Sequence, residues 1–496
     1  MNSVTLARLR GPSCALLFTL LGCSILPYPG IQTDEALFAG IYYQPYESLD
    51  GFRAFHHQVP TMLMSYLGAL KTWLFYPLFK VFAPSVWSLR LPMVLLGGLS
   101  VWLFTIFLAR LHGDTAAWFG GLLLATDPMF IETNTFDWGP VAIQHFLFLA
   151  AGVLLLRQTT RAWCLAFFLM GLALWNKALA AWTLTGLLLP LLVLFPGMLW
   201  RTITWKKAAL AVVFFAIGAS PFLRYNVRKP AATVQENVKL TTAELNPKAH
   251  LLYATLRGYA MMEYITYEPK APQRWTFIPQ ALLAAMILLL IWPSRLAWYP
   301  IAAGTLIFLL MALTRNAGGA VHHLILIWPL PSWAIAAAFT APRLSRPQIW
   351  ISGAWVVVGL LAIDNARVVN VYRQALIAQG SPGPWNNAVL TLAERILARN
   401  PQTVRVYDWG MSDNLSLLTQ GKVAIAWNDR PFPKENFEHP DDLWVGTLAP
   451  FEAFANVNRD LREAVDQAGY ERQVLETVHD RQGRPVFELF EVKPRR

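Results

Sequence analysis

Charge is what this sequence has least of. Asp, Glu, Lys and Arg make up 14% of its 496 residues, where a soluble domain carries about 25%. Hydrophobic residues make up 55%, and the mean hydropathy is +0.39. That balance excludes a single water-soluble domain. Cysteine is scarce too: Cys14, Cys23 and Cys164 all lie inside apolar runs. Their spacing forms no metal-binding cluster and implies no disulfide framework. There is no internal repeat, which counts against the duplicated halves of many secondary transporters. No Gly-rich phosphate loop is present to hold a nucleotide.

What the chain has instead is a succession of apolar runs of about 17 to 25 residues, each able to cross ~30 Å of hydrocarbon. Eleven spans are expected, at 12–29, 87–110, 116–131, 138–156, 162–176, 178–196, 207–224, 276–293, 297–314, 322–341 and 348–366. The formal charge of +11 points to basic cytoplasmic loops beside anionic lipid rather than to nucleic acid. The opening "MNSVTLARLRGPSCALLFTLLGC" has the basic start and apolar run of a secretory signal. With so many spans behind it, it reads as a signal anchor kept as the first helix.

Charge placement sets the orientation. With the N-terminus in the cytoplasm, the inner loops carry Arg8, Arg10, Arg110, Arg157, Arg161, Arg201, Lys206, Lys207, Arg295, Arg343 and Arg346. The short outer turns carry only Lys177 and Arg315, as the positive-inside rule requires. Eleven spans then leave the C-terminus outside. Residues 1–366 form the membrane domain, with outer loops at 30–86 and 225–275. In the first loop, "TMLMSYLGALKTWLFYPLFKVF" predicts one or two helices lying in the membrane interface. From residue 367 the composition changes. "TVRVYDW", "KVAIAW", "DDLWVGTL" and "PVFELFEV" read as strands, and "NNAVLTLAERILARN" and "NVNRDLREAVDQAG" as helices. Residues 367–496 are therefore a soluble α/β domain attached to a mainly α-helical polytopic membrane protein.

The residues that could carry chemistry gather on the outer side. Asp34 and Glu35 in "GIQTDEALFAG" follow the first span; they either begin a helix or do chemistry, as ionisable groups at membrane depth often do. "DPMFIETNTFDWGPVAIQ" sets Asp127, Glu132 and Asp137 at the same boundary, with Asp137 where the fourth span begins. A carboxylate there is placed to take a proton from an acceptor hydroxyl. Cations share that face: Lys177 in "GLALWNKALAAW", and Arg224, Arg228 and Lys229 in "SPFLRYNVRKP". Such groups suit a bound phosphate, though each alone also reads as a snorkelling interfacial side chain. His322 and His323 open the tenth span. Adjacent histidines point apart on a helix and no cysteine joins them, so a divalent metal is the lesser reading and no cofactor is expected.

The order of these features resembles the polyprenyl-phosphate-dependent glycosyltransferases of the GT-C type. It is most similar to the group of protein O-mannosyltransferases and lipid A aminoarabinose transferases (glycosyltransferase family 39). The likeness runs over residues 12–345. It rests on a short first span, the outer "DE" loop, "WSLRLP" (87–92), an acid between the next two spans, "NK" in a turn, "PFLRYN" (221–226) and "HHLILIWPLP" (322–331). It implies a GT-C fold and transfer of a sugar from an isoprenoid lipid phosphate to an acceptor on the outer face, with inversion. Asp34 would act at the acceptor hydroxyl beside Glu35, and the second acid maps onto Asp137, with Asp127 competing. Lys71, Lys177, Arg224 and Arg228 are candidates for the donor phosphate, and Tyr225, Asn226, His322 and His323 for the acceptor or substrate. Relatives often have a Lys-Pro or Pro-Pro pair in the first loop. This chain has "FHHQVPTM" there, so His56 or His57 could stand in.

The implied partners are the polyprenyl-phosphate sugar, membrane lipids, and a lipid, glycan or protein acceptor offering a hydroxyl or phosphate. The expected location is the cytoplasmic (inner) membrane, with the soluble domain periplasmic. Rival readings are a lipid-linked oligosaccharide transferase or ligase, a polyprenyl-lipid or sugar transporter, and a scaffold whose acids only cap helices.

Overall fold

The computed structural model describes residues 3–44, 48–54, 57–267, 275–342 and 345–495. The first half comprises α1 (Ser3–Ile25), α2 (Thr33–Gly40), a three-stranded sheet of β1 (Asp50–Ala54), β2 (His57–Met64) and β3 (Leu67–Gly68), α3 (Leu70–Val81), α4 (Val86–His112), α5 (Asp114–Thr126), α6 (Pro128–Phe136), α7 (Val141–Leu155), α8 (Thr160–Asn176) and α9 (Ala180–Leu194). There follow α10 (Pro196–Thr202), α11 (Trp205–Gly218), α12 (Ser220–Arg228), α13 (Ala232–Asn237), α14 (Leu245–Leu256), α15 (Met262–Ile265), α16 (Ile278–Ile291), α17 (Arg295–Ala312), α18 (Val321–Leu324), α19 (Leu330–Phe339) and α20 (Pro347–Gln379).

An apolar helix occupies each of the eleven expected segments. By length and composition, four helical stretches among the described residues are able to cross a membrane: Val86–His112, Arg295–Ala312, Val321–Phe339 and Pro347–Gln379. Three bent pairs raise this to seven, at α6–α7 (113°), α9–α10 (102°) and α11–α12 (74°). The expected count of eleven is thus not established by the helices alone. α1 packs on α4 and α5, α4 on α7, α8 on α7 and α11, and α9 on α17. Most of these helices are apolar around much of their circumference, as expected of membrane helices that face protein on one side and lipid on the other.

The first loop differs from its sequence reading. The start of the segment expected as interfacial helix is strand, in β2 as far as Met64 and in β3: β1 and β2 pair antiparallel, with Phe52 opposite Val59, and β2 turns into β3. Pro60 sits within β2, where proline is tolerated because the strand lies in a small irregular sheet. The rest of that segment is helical as α3, with Trp73, Leu74 and Tyr76 exposed.

Beyond α20, which runs to Gln379, come α21 (Ala388–Arg399), β4 (Thr403–Val406), α22 (Ser412–Leu418), β5 (Ala424–Trp427), β6 (Leu443–Thr447), α23 (Val457–Gln467), β7 (Tyr470–His479) and β8 (Pro485–Pro494). They form one sheet in the order β5-β4-β6-β8-β7, with β4 parallel to β5 and β6 and the rest antiparallel. All four strands read from sequence are present. β7 is additional: as an edge strand it is too polar and exposed to give an apolar alternation.

Candidate active site

The site begins with α2. Gln32 caps it, its Oε1 accepting from the amides of Asp34 (2.7 Å) and Glu35 (3.2 Å), while the Glu35 side chain closes a capping box by accepting from Gln32 N. The two adjacent acids then part. Glu35 points into the protein and meets Arg90 side-on, with Nε on Oε1 at 2.7 Å and Nη2 on Oε2 at 2.8 Å. Arg90 spends its other donors on the carbonyls of Leu26, Pro29 and Gly30, and its guanidinium stacks on Phe136 at 4.9 Å. Both side chains are fully buried. Such a bidentate pair fixes geometry, so Glu35 ties the loop to α4 and has no oxygen to spare for a substrate.

Asp34 is half-buried, and among the described residues its carboxylate oxygens accept no hydrogen bond. Burial first, and Asp413 second, push its carboxyl up to about 6, against the pull of Lys177. Tyr66, in the turn between β2 and β3, also faces it.

Lys177 follows α8, and its turn is fixed by the first loop. Ala178 N donates to Tyr66 O (2.8 Å), Leu67 bridges to Lys177, and Trp175 Nε1 donates to Thr61 O (2.8 Å). Its Nζ donates to Gly139 O (3.0 Å) and His322 O (3.1 Å), two bonds from an ammonium with three protons. Burial lowers it to about 7, opposed by Asp137 and Asp34. Asn176, beside it, holds Pro140 O and Gln144 Oε1.

Asp137 ends α6 in the left-handed conformation (φ 35°, ψ 46°), which Asp tolerates better than most residues. Its Oδ1 accepts from Ala142 N at 3.0 Å, and its Oδ2 lies 2.8 Å from Lys71 Nζ, both side chains buried. Lys71 also donates to Asp137 O. Gly139 follows because a Cβ there would lie 2.7 Å from the His322 ring. His322 and His323 stack edge to face at 4.4 Å, and their Nδ1 atoms have no hydrogen-bond partner among the described residues.

The structure thus gathers Asp34, Asp137, Lys71, Lys177, His322 and His323 around one turn-rich centre, with Glu35 just behind. It sets the remaining candidates apart. Arg224 and Arg228 lie 3.7 and 3.6 Å from Asp50 on the first-loop hairpin. Asn226 is occupied by Phe222 O and by Thr233, and Tyr225 is buried with no hydrogen-bond partner for its hydroxyl among the described residues. Asp127 caps α6 through Phe130 N and accepts from Trp328 Nε1. The side chain of His57, and His56 altogether, lie outside the described residues. No group of three or more His, Cys, Asp or Glu side chains converges among the described residues.

Two participants carry no claim in the sequence reading. Arg90 had a signal, since an arginine inside an apolar span needs a buried partner. Asp413, from the far end of the chain, had none.

The profile of the dolichyl-phosphate-mannose-protein mannosyltransferase family matches residues 68–225, about a third of the chain. A search of curated protein sequences finds no match. Among solved structures, the crystal structure of ArnT from Cupriavidus metallidurans bound to undecaprenyl phosphate is similar, with a TM-score of 0.65 and 14% identity over 98% of both chains. The arabinofuranosyltransferase AftD from Mycobacteria gives a TM-score of 0.53 at 14% identity, over 100% of this chain and 40% of that one. An oligosaccharyltransferase from Archaeoglobus fulgidus gives 0.51 at 10% identity, over 88% and 68%. Identities this low speak for the fold alone. The expectation from sequence holds at that level: the chain is a multi-pass membrane protein with the GT-C fold and a C-terminal α/β region.

Proposed function

We propose that this protein is a membrane glycosyltransferase that moves a sugar from a polyprenyl-phosphate donor to a hydroxyl on a lipid, glycan or protein acceptor at the outer face of the membrane. The observation that carries this reading is the open pairing of Asp34 with Lys177: a half-buried carboxylate with unengaged oxygens and a buried ammonium with one proton to spare. The fold shared with an undecaprenyl-phosphate complex of ArnT supports a donor of that class.

In the reaction, Asp34 accepts the proton of the acceptor O–H as that oxygen bonds to the anomeric carbon. The bond from that carbon to the phosphate oxygen breaks, and the electron pair leaves with the polyprenyl phosphate. One displacement with an acid–base carboxylate, rather than a covalent intermediate, inverts the anomeric centre. The leaving group is already a phosphate and needs no strong acid. It needs a cation where its charge grows, and Lys177 is that cation. A dianionic phosphate near Nζ restores the proton affinity that burial removes. His322 and His323, beside Lys177, are placed to meet the sugar, and the Asp137–Lys71 pair lies behind Lys177. Lys71 becomes a second phosphate ligand where its pair with Asp137 opens. Arg224 and Arg228 serve at the rim, where a lipid headgroup passes. An acceptor phosphate would need no base, so dependence on Asp34 also separates the two acceptor chemistries.

The test is Asp34→Asn in purified protein given a polyprenyl-phosphate sugar. The expected result is loss of transfer by ~100-fold or more, the usual worth of a general base, with an unchanged melting profile. Near-normal transfer overturns the assignment. For the orientation, Gln420→Cys in an otherwise cysteine-free chain should react with an impermeant thiol reagent from outside the cell. Protection there overturns an outer soluble domain.

A further inference from the structure

The soluble region does more than follow the membrane helices; it grips the loop that carries Asp34. Gly30 N donates to Trp385 O at 2.6 Å, and a Cβ on Gly30 would lie 2.1 Å from Asn386 O, so only glycine permits this approach. Arg481 Nη1 donates to Pro27 O at 3.0 Å, and Asn414 Nδ2 to Ile31 O at 2.8 Å. α22 then packs along α2: Leu417 fits over Gly40 at one end. At the other end, Thr33 Oγ1 donates to Asp413 Oδ2 at 2.9 Å. Leu417 and Trp385 are part of the same buried cluster as the membrane helices.

An acid is a costly choice at this last contact. Asparagine would accept the same hydrogen bond from Thr33 without setting a second half-buried carboxylate beside Asp34, where like charges repel. We propose that Asp413 is a positioning residue of the Asp34 site: the soluble domain seats it beside α2 to hold the loop and to keep Asp34 a base rather than a carboxylate locked onto Lys177. This rests on the general-base reading above. The charged and titratable groups facing Asp34 are Asp413 from α22, Lys177 from the turn after α8 and Tyr66 from the first-loop turn, with Asp137 behind Lys177. Asp413 and Lys177 therefore pull in opposite directions. Burial pushes Asp413 itself up to about 6, eased by the Thr33 hydroxyl.

The test uses the full-length protein and reads Asp34 in two ways. Carbodiimide coupling, quantified at Asp34 by mass spectrometry across a pH series, follows its protonated form whether or not it is catalytic. The acid limb of the transfer rate follows its function. In wild type, half-coupling is expected near about 6. In Asp413→Asn both curves should move to lower pH by about half a unit or more, because the repelling charge is gone. Asp413→Glu should restore them. If the Asn variant does not fold, Asp413→Ser keeps an oxygen for Thr33 and should give the same shift. A coupling curve that stays in place, with transfer lowered by one factor at every pH, overturns the proposal and leaves Asp413 as mere docking. A moved coupling curve with an unmoved transfer limb keeps the Asp413–Asp34 link and instead breaks the general-base reading.

Discussion

Two neighbouring parts of this molecule use the same chemistry to opposite ends. In one, Glu35–Arg90 and Asp137–Lys71 are closed pairs: buried, at 2.7 to 2.8 Å, and with their other donors or oxygens spent on the backbone. In the other, Lys177 and Asp413 both face Asp34, and capacity is left over. A carboxylate in the first region is scaffold, and one in the second is available to a substrate. Residue type does not separate them, nor does distance along the chain, since Asp34 and Glu35 are adjacent. What separates them is whether the carboxylate already holds a cation at 2.7 to 2.8 Å, as Glu35 and Asp137 do and, among the described residues, Asp34 does not.

The largest expected effect comes from breaking a closed pair. Arg90→Ala strands Glu35 as an unpaired buried acid, for which a loss of ~3–5 kcal/mol is typical. Thermal unfolding in detergent should show it, as a much lower midpoint or as no folded protein. If Arg90→Ala melted like wild type, the closed category would fall. Lys71→Met and Asp137→Asn should each destabilise by a few kcal/mol (~3), and the double variant by clearly less than their sum. Additive losses would mean that the two do not act as a pair.

Next comes pH, which acts only on the open region. Asp34 works deprotonated, so kcat/KM should rise as pH passes about 6. Lys177 works protonated, so kcat/KM should fall as pH passes about 7. The free protein should then show a narrow bell between those values. A rate that is flat from about 5 to 8, the span over which groups with such shifted values titrate, would remove both groups from the chemistry. Lys177→Gln should abolish the alkaline limb and weaken donor binding, read as a KM rise larger than the kcat loss. The smallest effect is expected at the rim. Arg228 is mostly exposed and 3.6 Å from Asp50, so Arg228→Ala should change stability by under ~1 kcal/mol. A large destabilisation would show that the hairpin belongs to the closed region.

The placement of acids and cations at the ends of apolar segments was legible in the sequence because membrane insertion acts locally. A run of apolar residues must cross or lie in the bilayer, and the charges left over mark its ends. The strands of the soluble region were legible for a similar reason, since β4, β5, β6 and β8 are apolar enough to signal a buried sheet. The hairpin of β1 and β2 was not, because "GFRAFHHQVPTM" has neither a clean alternation nor a two-residue turn signal. Its partner strand and the docking of Tyr66 on Ala178 decide its shape.

The sequence by itself determined a charge-poor helical membrane protein with a soluble α/β tail, and it placed Asp34 and Lys177 on one face. Only the tertiary structure decided which acids are spent. Glu35 is paired by Arg90 from 55 residues away, Asp137 by Lys71 from 66, and Thr33 meets Asp413 across 380. Hydrophobicity is a property of a segment and can be read along the chain. Satisfaction of a buried charge depends on a partner brought by folding, and no local pattern records which partner that is.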